Sequence, residues 1–176
     1  MSEILLPDGT TLTMRAVVPS DANAFTEHRR ALGLETHFTM QYPGRIYPSS
    51  EETARQLGSA DPAGLRYGVF ASDSLVAMLS VYADSSVHPW IKHLAGFGLG
   101  IRKAYWGLGL ARALLAKLDE HAKTAGLTKI EGQVRQDNER AISLYLRNGF
   151  TIEGVRRQAA AIDGKFFDDL YIAKFY

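Results

Sequence analysis

Ala95-Gly96-Phe97-Gly98-Leu99-Gly100-Ile101-Arg102-Lys103-Ala104-Tyr105-Trp106-Gly107-Leu108-Gly109-Leu110-Ala111 reads as a strand, a glycine-rich turn and the first residues of a helix. The helix continues because Leu110, Ala111, Leu114, Leu115, Leu118 and Ala122 recur at three- and four-residue spacing; Lys117 and Lys123 come late, and Gly126 is its stop. A helix that begins in glycines aims several unpaired backbone N–H groups at one point, which suits a pyrophosphate. Gly107 and Gly109 remove the Cβ atoms that would hold a phosphate off the backbone. Arg102, Lys103 and Arg112 are expected to add positive charge beside it. Gly96, Gly98 and Gly100 inside the strand suggest a bulge or the close approach of a backbone-like ligand.

Two other phosphate-binding patterns fail here. A dinucleotide fingerprint starting at Gly98 and Gly100 meets Lys103 where its third glycine belongs, and no GxxxxGK[ST] run exists. Trp106-Gly107-Leu108-Gly109-Leu110-Ala111 instead resembles the Q/R-x-x-G-x-G/A signature of the GCN5-related N-acetyltransferase (GNAT) family, with Trp106 standing where glutamine or arginine is usual. Asn138-Glu139-Arg140-Ala141-Ile142-Ser143-Leu144-Tyr145-Leu146-Arg147-Asn148-Gly149-Phe150 is similar to the family's N-x-x-A-x-x-L-Y-x-x-x-G-F helix.

The resemblance implies an acyl-CoA N-acyltransferase fold: a mixed α/β domain with a mostly antiparallel sheet of about seven strands, four flanking helices and two parallel strands that diverge at the cofactor site. It implies acetyl-CoA as acyl donor. The pantetheine arm would lie along Leu99, Gly100 and Ile101, and the pyrophosphate on Gly107, Leu108, Gly109, Leu110, Ala111 and Arg112. Asn138 would contact the cofactor besides capping its helix, and Tyr145 would stand beside the sulfur as general acid. Many relatives carry a glutamate on the strand that here reads Ala95-Gly96-Phe97-Gly98; none is present. Glu131 and His93 are the remaining candidates for the base, a water-mediated route is equally open, and the base stays unassigned. The acceptor implied is a primary amine on a small molecule or amino acid. A peptide N-terminus, or a non-catalytic acyl-CoA-binding regulator, is the alternative. Dimers are common among the resembling proteins, so a homodimer is an open expectation.

The other elements read in order. Residues 4–18 form a hairpin turning at Pro7-Asp8-Gly9, and a helix from Ala22 to about Leu32 stops at Gly33. The aromatic, aperiodic run Glu35 to Pro48 is a loop and a candidate wall of the acceptor pocket. A short helix follows Ser49 or Ser50 and ends at Gly58; strands occupy 66–71 and 75–82, and residues 83–92 are a polar connection. After the long helix come a strand at 129–135 parallel to the glycine-rich one, a helix capped by Asp137 or Asn138, and a final hairpin around Asp163-Gly164.

Length and composition bound the rest. The 176 residues suit one domain, and 46% apolar with 22% charged content is that of a globular protein. A net charge of +1, with both signs spread along the chain, gives no electrostatic footprint for nucleic acid. No secretory signal or membrane-length apolar run is visible, and with no cysteine a reducing, cytoplasmic setting is expected. No metal requirement is visible. Without a thiol nucleophile, direct transfer from donor to acceptor is expected.

Overall fold

A computed structural model describes residues 1–59, 64–83 and 88–176. Its eight strands form one sheet: β1 (Ser2–Leu5), β2 (Thr11–Ala16), β3 (Leu65–Ala71), β4 (Ser74–Tyr82), β5 (Leu94–Ile101), β6 (Lys129–Arg135), β7 (Thr151–Ile162) and β8 (Lys165–Phe175). Their spatial order is β1-β2-β3-β4-β5-β6-β8-β7. All neighbours are antiparallel except β5 and β6, which the crossover through the long helix makes parallel. The mixed, mostly antiparallel sheet is therefore as expected, with the four-residue β1 bringing its strands to eight.

Four α-helices flank the sheet among the described residues: α1 (Ala22–Glu35), α2 (Ser50–Gly58), α3 (Leu110–Thr124) and α4 (Glu139–Arg147). The apolar stripe of α3, with Leu110, Leu114, Leu115, Leu118 and Ala122 all buried, packs with Leu79, Ile130, Tyr145 and Ile172 into the larger core. Ala22 of α1 and Leu57 of α2 pack with Val17, Phe70 and Leu75 into a second cluster. Ser49 caps α2 by accepting the Glu52 N–H at 3.2 Å. The C-terminal strand is tied to α3, since Lys174 Nζ and the Tyr176 hydroxyl each reach Asp119 at 2.7 Å.

Two local expectations need correction. Gly33 does not end α1; it lies inside the helix, and a Cβ there would sit 2.9 Å from the Tyr42 backbone nitrogen, so its bareness admits the following loop. Gly96, Gly98 and Gly100 do not mark a bulge either, because β5 pairs with β4 in unbroken register from Gly96↔Tyr82 to Ile101↔Ala77. Gly100 is small because a Cβ would meet the Leu32 Cδ1 of α1 at 2.6 Å. The sheet's register shifts fall instead on β3/β4 and β7/β8. Part of the polar connection 83–92 lies outside the described residues; its described end contains a 3-10 turn at Pro89–Ile91.

Candidate active site

The parallel pairing of β5 and β6 is short. Leu94, Ala95 and Gly96 face Lys129, Ile130 and Glu131, and pairing then stops, although β5 runs on to Ile101 and β6 to Arg135. The first residue past the last pair is Phe97, whose ring lies where a Cβ on Gly132 would be, 2.7 Å from its Cε1. From Phe97 onward, β5 keeps its β4 partner on one edge and has no strand on the other. That free edge holds N–H and C=O groups open to a ligand with peptide-like groups. A cleft of about 1190 Å³ follows it, lined by Leu99, Gly100 and Ile101 and continuing to the turn before α3.

At the turn, Gly107 and Gly109 both adopt φ of 80°, and a Cβ on either would meet nothing within 4 Å, so both face open space. The first N–H to find an acceptor in α3 is that of Ala113, bonded to the Gly109 carbonyl at 3.2 Å, which leaves those of Leu110, Ala111 and Arg112 at the helix start. Gly107, Gly109, Leu110, Ala111 and Arg112 all line the cleft, whereas the Leu108 side chain turns into the core. Bare glycines, free N–H groups and Arg112 fit an anionic diphosphate, and the free β5 edge fits an extended arm attached to it. The charge expected from Arg102 is already engaged: its Nε donates to Glu35 at 2.7 Å, and the Lys103 backbone N–H donates to the same carboxylate at 2.6 Å. Burial pushes the Glu35 pKa up, but those donors outweigh it and leave the carboxyl below its ordinary value.

On the other side of the divergence, Asn138 caps α4 by accepting the Ala141 N–H at 3.2 Å, and it lines the cleft. Tyr145 also lines the cleft while only 8% exposed. Its ring stands edge-on to Phe97 at 5.5 Å and tilted against Phe150 at 5.4 Å. Burial alone pushes the phenol pKa up, with no hydrogen bond from a described residue contributing. A phenol so placed stays protonated in apolar surroundings, with its ring against Phe97 where the free β5 edge begins.

The model of the acetyltransferase (GNAT) family matches residues 32–150. The chain belongs to this family. An L-amino acid N-acetyltransferase of Escherichia coli K12 is 30% identical over 138 residues, 77% of this chain and 81% of that protein. The crystal structure of a GNAT-family acetyltransferase from Streptococcus pneumoniae superposes with a TM-score of 0.87 at 28% identity, over 94% of this chain and 99% of that one. A Sinorhizobium meliloti phosphinothricin acetyltransferase, solved in complex with acetyl-CoA, shares the fold with a TM-score of 0.79 at 17% identity, over 93% and 88% of the two chains.

The acetyltransferase's remaining surfaces were only partly legible. The loop after α1 does wall the cleft, through Phe38, Thr39, Met40 and Gln41, and His37 Nε2 of the same loop lies 3.1 Å from Asp137 beside the α4 cap. Of the two candidate bases, Glu131 lines the cleft but is held by Lys129 at 3.0 Å, and Lys129 also holds Glu153 at 2.8 Å. His93 is exposed and not part of the cleft; its carbonyl takes the Thr128 N–H, so its place is structural. Trp106 is turned to a local use: its indole N–H donates to the Ile101 carbonyl at 2.8 Å, and the Arg140 guanidinium lies 3.5 Å over its ring. Arg140 thus carries a cation to the motif position where arginine is otherwise usual. Sequence reasoning missed Arg140 and also Arg29 of α1, both of which line the cleft; Arg140 stands at an unspecified position of the Asn138–Phe150 motif and Arg29 in no motif, and only the packing of separate helices brings them there.

Proposed function

We propose that this acetyltransferase moves the acetyl group of acetyl-CoA directly to a primary amine on a small molecule or amino acid. The observation that carries the reading is the free β5 edge, which shares one cleft with the glycine turn of α3 and with Tyr145, whose ring packs on Phe97 where that edge begins. The similarity to an L-amino acid N-acetyltransferase supports the acceptor class.

Bound acetyl-CoA would supply an activated thioester. The N–H groups of Leu110, Ala111 and Arg112, with the Arg112 side chain, would hold its diphosphate, and Leu99, Gly100 and Ile101 would align its arm by backbone hydrogen bonds. Asn138 would contact the arm's far side from the α4 cap. Tyr145 would give its hydroxyl proton to the departing sulfur. By reference values this transfer is uphill, ~10 for a phenol against ~8.5 for a thiol. The apolar rings around Tyr145 also raise the proton affinity of a desolvated thiolate, so both groups shift together. The acceptor must arrive as a free amine, and at neutral pH an alkylamine of pKa ~10.4 is almost wholly protonated. Glu131 and an ordered water chain both remain routes for that proton.

Acetyl-CoA-dependent thiol release across amino acids, polyamines, aminoglycosides and short peptides tests the reading, with acyl-CoA binding measured on the same sample. Release with a small amine or amino acid is expected. Clear binding with no release for any amine would instead mark an acyl-CoA-binding regulator.

A further inference from the structure

Arg29 lines the cleft with no anion to meet it among the described residues. Its guanidinium carbon lies 5.4 Å from the Phe25 ring and 5.1 Å from the Tyr47 ring. That of Arg45 stands 5.7 Å from the same Tyr47 ring, so two cations share one aromatic platform. Arg45 donates to the Met40 carbonyl at 2.9 Å, which fixes it to the cleft-lining loop. The third guanidinium on that ring, Arg30, is neutralised by Glu27. Among the described residues neither Arg29 nor Arg45 has a carboxylate at ion-pair distance. Burial, and then the charge of Arg45, hold the Arg29 pKa below the ordinary guanidinium value. A desolvated cation facing a second cation is a costly arrangement that a bound anion relieves.

The anion site stands close to where acyl transfer would occur. Tyr82, also in the cleft, is near enough to Arg29 to influence it electrostatically, and its hydroxyl lies 3.5 Å from the position of a Cβ on Gly98. Gly98 is in the free-edged part of β5. Tyr82 therefore stands beside Gly98 and within electrostatic reach of Arg29.

We propose that Arg29 anchors a carboxylate of the acceptor, making amino acids the substrates and excluding polyamines and aminoglycosides. This rests on the acetyl-transfer reading. A planar guanidinium binds a carboxylate through two parallel hydrogen bonds, and it repels a polycation that a neutral pocket would admit.

Initial rates for L-amino acids, their primary amides and the matching decarboxylated amines test the proposal in the native protein, Arg29→Gln and Arg29→Lys. The acids are expected to exceed amides and amines at least about tenfold in kcat/KM. Arg29→Gln should raise KM for the acids about 10- to 100-fold, collapse the acid-to-amide ratio and leave KM for acetyl-CoA unmoved. Arg29→Lys should recover part of the ratio. Amides used as well as acids would overturn the proposal. So would a higher KM for acetyl-CoA in Arg29→Gln with the ratio intact. Should no amine turn over at all, the transfer reading fails. Calorimetry of L-amino acids with the CoA-saturated protein then decides the anchor by itself: binding lost in Arg29→Gln upholds it, and no binding overturns it.

Discussion

Replacing Tyr145 by phenylalanine separates a proton donor from a core aromatic, because the structure gives the two roles opposite signatures. The hydroxyl has no hydrogen-bond partner among the described residues, and the ring keeps its contacts with Phe97 and Phe150 whether or not the oxygen is present. Loss of a hydrogen-bonded hydroxyl costs about 1 kcal/mol, so the variant's stability should change by less than that. Acetyl-CoA affinity should also be nearly unchanged, since the proposed diphosphate contacts lie on α3. Turnover should fall by about 100- to 10,000-fold, equivalent to roughly 3–5 kcal/mol on the barrier. The uphill step from a phenol at ~10 to a thiol at ~8.5 accounts for about 2 kcal/mol of proton-transfer cost, which positioning has to offset. Thiol release at saturating acetyl-CoA, calorimetric affinity and thermal unfolding of the same preparation give the three readings. Turnover within about threefold of the native protein would remove Tyr145 as the acid.

Three further outcomes check other parts of the site. Gly109→Asp should abolish acetyl-CoA binding by calorimetry, because it puts a carboxylate at the N-terminus of α3 on a residue whose φ of 80° disfavours any side chain; retained affinity would place the diphosphate elsewhere. Gly132→Ala should lower unfolding free energy by about 1–3 kcal/mol, since its methyl would stand 2.7 Å from the Phe97 ring, and an unchanged denaturation midpoint would show that the ring moves freely. His28 donates from Nδ1 to the Leu75 carbonyl, and burial lowers its pKa from 6.5 to about 4. Between those values the unfolded chain binds the extra proton and the folded one does not, so its contribution is present above about pH 6.5 and falls away towards pH 4, by about 3 kcal/mol in all. In urea unfolding, His28→Gln should therefore decline less steeply than the native protein across that window, and equal slopes would mean that His28 titrates normally.

What the sequence made legible was whatever depended on neighbours along the chain. The apolar spacing of Leu110 to Ala122 located α3, the pairs Ser49/Ser50 and Asp137/Asn138 bracketed the caps that Ser49 and Asn138 supply to α2 and α4, and the glycine pattern located the turn. Errors arose where a residue's size answered to something distant. Gly33 looks like a helix stop, yet its bareness serves the Tyr42 backbone; Gly100 looks like a bulge, yet it makes room for Leu32. Charge behaves likewise: Arg102 reads as a free cation until α1 brings Glu35 to it, while Arg29 reads as one surface charge among many until packing turns it into the cleft.

That double role of α1 ties the two halves of the site together. His28 and Leu32 pack beneath Gly100 on β5, Glu35 near the C-terminal end grips Arg102 and the Lys103 N–H at the start of the turn, and Arg29 lines the cleft. An α-helix rises 1.5 Å per residue, so Arg29 and Glu35 are separated by roughly 9 Å along one rigid axis. The position of the proposed acceptor anchor relative to the proposed diphosphate turn is then set by a helix and not by a loop. Trp106 completes the same frame from the other side: bonded to the end of β5 and covered by Arg140 of α4, it joins strand, turn and helix where the motif's usual side chain is missing. With the diphosphate contacts proposed for backbone N–H groups, the side chain at position 106 is free for that bracing role.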